Sequence, residues 1–453
     1  MNLRNLRNIL IASIVFTYAY LFFQIFTKNV IVDTDYPFHM HNIWAVSKGF
    51  LVSDPFLSGG AHLTLRYGGP VILLGAAVYP ILGKFTAAFL LAAAVPALWY
   101  SAKKMYRHFS NSRIAEIAAL VAVLNPFTMY YCSCLLPFIW GVVFALGSIH
   151  FYLEERTRLA IFLGLITVIT HPLAIFLFLT LLLVHPDVRK WLQAYFIPLA
   201  AFGAMLTALW GIPNLTSGAH DIYPLTLTIL NIGILISSLL TALLIKKETR
   251  VLSGIAILIT VSWSVGHIFG LWFPASYLNR VGFSVLLILM PFLIKSAANK
   301  ITTPTISAIK YLSALPILTI LIGSGVYAGP LTTSPDNADA YLTLPDNILI
   351  PLQKSYVLYA SDGSALYELP KLGVKFANAG RNSYAPIPEN AETYAQMVEM
   401  ENASFILIYE GYNEFPQRVE AEENMIRELG YPLIYCKDNI KIYKTHLAPE
   451  NII

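Results

Sequence analysis

Two acids and two histidines, Asp33, Asp35, His39 and His41, fall together in the stretch IVDTDYPFHMHNIW, residues 31–44. A carboxylate within hydrogen-bond reach of an acceptor hydroxyl can take its proton as the hydroxyl attacks. A D-x-D pair flanked by imidazoles can instead hold a divalent cation, Mg²⁺ or Mn²⁺, or bind phosphate through it. Each residue taken singly also has a plainer reading: Asp35 as a helix cap, the histidines as ordinary interfacial groups. The sequence does not choose between Asp33 and Asp35 as the working acid. Pro37 suits the first turn of a helix running from about Pro37 to Lys48. His39 and Asn42 then share one face, and Ile43, Val46 and Phe50 face lipid or other helices.

The surroundings of this cluster are nearly devoid of charge. The 453 residues are 57% hydrophobic and 12% charged, with mean hydropathy +0.62. An average soluble domain carries about twice that charge fraction. Apolar runs near the length of a bilayer crossing recur at 8–27, 84–101, 114–131, 134–153, 158–170, 173–185, 191–211, 225–245, 250–271, 279–295 and 305–328. The expected fold is therefore an α-helical polytopic membrane protein of about 11 spans occupying residues 1–330. The net charge of +4 does not imply nucleic acid, because the basic residues cluster beside apolar segments. Arg4 and Arg7, Lys103 to Arg113, Arg156 and Arg158, and Lys246 to Arg250 fall on one side of this map. The positive-inside rule places that side, with the N-terminus, in the cytoplasm. Residues 28–83 become the first outer loop, and the acids begin about six residues beyond the first span. Residues 69–83, broken by Pro70, Gly75, Pro80 and Gly83, read as re-entrant or interfacial; if they span, the later loops change sides. His171-Pro172 interrupts the run 158–185, giving two short helices with His171 at the outer turn.

Hydrophobicity falls near residue 330, and 331–453 reads as a small extracytoplasmic α/β domain. SYVLYAS (355–361) and SFILIYE (404–410) have strand composition. Residues 415–429 read as a helix closed by Gly430, followed by a hairpin turning at Asp438-Asn439. Tyrosines 356, 359, 367, 384, 394, 409, 412, 431, 435 and 443 crowd this domain, and can stack on sugar rings or simply pack a β-rich core. Asn214-Leu-Thr and Asn402-Ala-Ser match the glycosylation-acceptor pattern. The three cysteines, Cys132, Cys134 and Cys436, form no metal-ligand spacing or disulfide framework. No repeat, Walker loop, GxGxxG or cleavable signal is visible.

A cytoplasmic N-terminus, an acidic first outer loop, many short spans and an outer C-terminal domain together resemble the GT-C superfamily of integral membrane glycosyltransferases. In residues the resemblance rests on Asp35, Pro37, Phe38 and His39, then Ile43-Trp44, Lys48 and Gly49. LNPF (124–127) and THP (170–172) also resemble uncharacterised prokaryotic members. It implies transfer of a sugar from a polyprenyl phosphate or pyrophosphate donor to a glycan, lipid or protein acceptor, at the outer face of the plasma membrane. By that resemblance Asp35 is the catalytic acid position and Asp33 its partner; in some branches the acid helps hold a divalent metal. A phosphate leaving group departs more readily beside cations. Outer candidates are Arg66, Arg280, Lys84, and His39, His41, His171 and His220 when protonated. Arg280, at the outer end of its span, can grip phosphate bidentately or merely snorkel to the interface. The competing functions are a transporter or flippase of lipid-linked glycans, and a non-catalytic scaffold displaying the C-terminal domain. Against transport, few ionisable groups lie at mid-membrane depth.

Overall fold

A computed structural model of the chain describes residues 3–51, 54–56, 68–178, 283–295, 334–335, 341–377 and 388–449, short breaks within them aside. In chain order the elements begin with α1 (Leu3–Lys28), β1 (Val30–Ile31), α2 (Asp35–Ser47), α3 (Gly69–Leu82), α4 (Thr86–Tyr106), α5 (Ser112–Val123), α6 (Leu136–Leu153) and α7 (Thr157–Thr170). They continue with β2 (Ser334–Pro335), α8 (Asp346–Gln353), β3 (Tyr356–Tyr359), α9 (Gly363–Lys371), β4 (Lys375–Phe376), α10 (Ala391–Met400), β5 (Ala403–Tyr409), α11 (Pro416–Glu428), β6 (Leu433–Lys437) and β7 (Ile440–Lys444). The chain divides into two compact units. One holds residues 1–24, 67–71 and 88–331; the other holds 25–66, 72–87 and 332–453.

The first unit is helical. Among the described residues of the whole chain, Leu136–Leu153 in this unit and Gly69–Tyr106, whose residues 72–87 are counted with the second unit, are helices long and apolar enough to cross a membrane. Polar side-chain atoms inside the first unit reach backbone carbonyls of neighbouring helices, as an apolar interior requires. Tyr18 Oη donates to Val123 O at 2.8 Å, Tyr106 Oη to Leu287 O at 2.6 Å and Trp140 Nε1 to Leu90 O at 3.1 Å. α6 and α7 pack as a close hairpin, with Ser148 Oγ bonded to Ala160 O at 2.7 Å; small residues permit this approach. The expected span 114–131 is corrected: the helix ends at Val123, because Pro126 disfavours helical backbone in the residue before it. α7 ends at Thr170, as the His171-Pro172 break predicted. The spans expected at 191–211, 225–245, 250–271 and 305–328 lie outside the described residues, as does most of 173–185.

The second unit is α/β. Its five-stranded mixed sheet has the order β4-β3-β5-β7-β6, parallel across β4-β3-β5 and antiparallel across β5-β7-β6. β5 is buried along its whole length, which explains its unbroken apolar run. Phe405, Leu407 and Tyr409 face one core; Ile406 and Ile408 face the other, the two-residue alternation of a strand covered on both sides. β6 and β7 meet at Asp438 and Asn439, both with positive φ (53° and 62°), the backbone of a type I′ hairpin. α11 is followed by Gly430 at φ 70°. α8, α9 and α10 are helices that the sequence reading did not resolve. Tyr394, Tyr409, Tyr443 and Tyr367 are buried, so the packing explanation holds for them. Asn402 sits at φ 50° before β5, with Ala403 and Ser404 buried behind it.

Candidate functional site

The motif helix α2 starts at Asp35, which puts Pro37 in its first turn, where a missing N–H costs nothing. It closes with a Schellman arrangement: Gly49 has φ 94°, Gly49 N bonds Val46 O at 3.0 Å and Phe50 N bonds Ala45 O at 3.0 Å. From His39 through Val46 every residue is buried. The polar His39, His41 and Asn42 are thus as enclosed as Ile43 and Val46. α2 packs on α9 of the same unit, and Phe38 reaches the sheet's core.

Beyond Gly49 the chain folds back on α2 through a run of rings. His41 to Trp44, Trp44 to Phe56 and Phe50 to Phe56 have centroids 5.5, 5.5 and 5.8 Å apart. Phe376 N of β4 donates to Phe56 O at 2.7 Å and fastens the turn to the sheet. This fold-back delivers Asp54, a residue the sequence reading missed. Its Oδ2 pairs with His41 Nε2, its Oδ1 accepts from Phe56 N at 2.9 Å, and both side chains are essentially inaccessible. His41 Nδ1 is left without a hydrogen-bond partner among the described residues. A carboxylate that fixes one imidazole nitrogen and leaves the other unengaged is the orienter–base arrangement of acid–base sites. The signal for Asp54 was a second acid before Pro-Phe, Asp54-Pro55-Phe56, echoing Asp35-x-Pro37-Phe38.

Burial pushes the His39 imidazole down to about 3. It is therefore neutral at physiological pH and is not a cation for phosphate there. The structure brings His39 and His41 together on α2, with Asp54 against the latter. Asp33, Arg66, His220 and Arg280 lie outside the described residues, and for Asp35 only the backbone is described. Asp33 and Asp35 are accordingly not placed as metal ligands. His171 belongs to the helical unit and is buried at the end of α7. Its N–H donates to Thr167 O at 2.8 Å and its ring lies edge-on to Phe138. A Cβ at Gly141 would stand 3.1 Å from His171 Cβ, so a glycine there lets the turn sit tight on α6.

No family model matches the sequence, and no curated protein does either. Solved structures do. The chain is similar to the oligosaccharyltransferase of Archaeoglobus fulgidus, solved tethered to an acceptor peptide containing the NVT sequon. Identity is 13%, the TM-score is 0.55, and the match covers 98% of this chain and 75% of that one. It also matches ArnT from Cupriavidus metallidurans bound to undecaprenyl phosphate, at 10% identity and TM-score 0.49, over 97% and 98% of the two chains. At these identities the likeness is one of fold: the chain shares the fold of the Archaeoglobus fulgidus oligosaccharyltransferase.

Proposed function

We infer that this chain is a membrane glycosyltransferase, moving a sugar from a polyprenyl-phosphate-linked donor to an acceptor at the outer face of the membrane. The observation that carries the reading is the fold shared with that oligosaccharyltransferase along nearly the whole chain, in a protein whose first loop bears the Asp33–Asp35 pair on and before a buried helix. In the proposed reaction the Asp35 carboxylate accepts the proton of the acceptor hydroxyl while its oxygen attacks the anomeric carbon. The bond from that carbon to the donor phosphate breaks, and the phosphate leaves with the electron pair. Arg66 and Arg280 are the cations proposed to meet it, since guanidinium stays charged and binds phosphate oxygens in pairs. The His41–Asp54 pair and neutral His39 position α2 and hold the loop rigid.

The test compares wild type, Asp35→Asn and Asp33→Asn in lipid, following release of sugar from a panel of polyprenyl-phosphate sugars with and without Mg²⁺ or Mn²⁺. Wild-type turnover that falls about a hundredfold or more in one Asn variant, with donor binding kept, identifies the base. Equal turnover in all three removes the acids from the mechanism. Leaflet exchange of an intact donor without sugar release replaces the transferase with a flippase.

A further inference from the structure

A second histidine–carboxylate cluster stands in the helical unit, away from the first-loop motif in sequence and used by nothing above. His150 lies in the last turn of α6 and Glu154 follows it four residues on, with Glu154 N bonded to His150 O at 3.0 Å, which keeps both on one face of the helix's end. His108 comes from the turn after α4. His108 Nε2 lies 3.0 Å from His150 Nδ1, the nitrogen that would face a shared ion, while Glu154 Oε1 lies 3.5 Å from the ring's other nitrogen, Nε2. One donor atom from each residue falls within 4.8 Å of the others. Two imidazole nitrogens sharing one tetrahedral ion, with bonds of about 2.0–2.1 Å, sit roughly 3.3 Å apart. The two rings already hold nearly that separation.

We propose that His108, His150 and Glu154 bind a single zinc-class divalent ion at the α4–α6 end of the helical unit. Two imidazoles and one carboxylate suit Zn²⁺ over the hard ions Mg²⁺ and Ca²⁺, which take all-oxygen shells. His150 is only 12% exposed and anchored in α6, whereas Glu154 is 36% exposed and free to swing onto an ion. Arg156 Nε meets the other carboxylate oxygen, Oε2, at 3.6 Å, leaving Oε1 on the histidine side. Lys104 borders the same cleft, and with Arg156 it lowers affinity for a cation without occupying a ligand atom. Three protein ligands leave a fourth position, and His150 and Glu154 border a cleft of about 420 Å³ that Tyr100, Ser101 and Gly147 also line, the pattern of a site that keeps a water or an exchangeable ligand. Basic residues gather at this end, among them Lys103, Lys104, Arg107 and Arg156.

The experiment uses the full chain in nanodiscs, stripped with a chelator and titrated with Zn²⁺, then with Co²⁺ as a spectroscopic probe. The expected result is one ion per chain, a raised melting temperature, and the intense visible absorption of four-coordinate Co²⁺. His108→Ala and Glu154→Gln each lose at least about tenfold in affinity, the least that removing even an outer partner of a metal ligand costs. Both change exposed side chains, so their unchanged metal-free melting confirms that they fold. Equal uptake by wild type and both variants overturns the site, as does a folded wild type that takes up neither ion.

Discussion

Two of the histidine–carboxylate pairings among the described residues are opposites. His41 and Asp54 are sealed, with essentially no exposure of either side chain. His150 and Glu154 border a cleft, with His108 beside them, and Glu154 is 36% exposed. In the sealed pair the partners must satisfy each other, since a buried charge or donor left alone is costly. In the open cluster water can replace any partner, so geometry there contributes little to folding and remains available for a ligand. Burial thus turns the same two residue types into a positioning device in one unit and an exchangeable site in the other.

The contrast can be broken by mutation. Asp54→Ala strands His41 in the interior and should cost about 3–5 kcal/mol of unfolding free energy, read by denaturant titration of the full chain. Asp54→Leu combined with His41→Leu should recover most of that loss, because apolar replacement of both partners removes the stranded group. A cost below about 1 kcal/mol for Asp54→Ala would place the pair with the open cluster.

His39 supplies the next effect. Its imidazole is neutral in the fold down to about pH 3 and titrates near 6.5 when unfolded. Between those values the unfolded chain binds more protons, so stability is full above pH 6.5 and falls with acid, by roughly 3 kcal/mol at pH 4. His39→Gln should flatten that limb in melts between pH 7 and 4; an unchanged slope would show that the acid sensitivity comes from elsewhere.

Glu423 is a case between the two extremes. Burial raises its pKa, but hydrogen bonds from Lys441 at 2.7 Å and Tyr443 at 2.6 Å outweigh it and leave the carboxyl below its ordinary value. The stabilisation is present above the ordinary carboxylate range and disappears as pH falls through the lowered value. Glu423→Gln should cost about 1–2 kcal/mol at neutral pH and less in acid, measured by hydrogen exchange across β7. Smallest of all, His108→Ala without metal should shift stability by less than about 1 kcal/mol; a larger loss in metal-free melts would mean that the open cluster is structural.

Much of the α/β sheet was legible in the sequence because its signals are local. SFILIYE is a buried central strand by composition alone, and Asp438-Asn439 is a turn because few other residues accept positive φ. α8 and α9 escaped because Pro351 and Pro370 interrupt them near their ends. α10 escaped because its capping box, Asn390 with Thr393, is a less common form in a mostly polar segment. The helix of the first loop was foreseen, but its environment was not. An amphipathic surface helix and one buried from His39 through Val46 differ in what covers them, and α9, β4 and the turn at 54–56 arrive from distant or irregular sequence. Asp54 was hidden for the same reason: its contact with His41 depends on the Gly49 reversal and the ring stack.

The bond from Phe376 to Phe56 has a consequence for association between molecules. An exposed sheet edge is a template on which another chain can add a strand. One edge here is β4, two residues long, with the N–H of Phe376 already given to the motif loop. The other edge, β6, has an irregular register between Leu433 and Tyr435 and carries the exposed Lys437 near its end. Each edge of the sheet thus carries a feature that disfavours strand addition. The motif loop thereby covers part of one edge of its own domain's sheet.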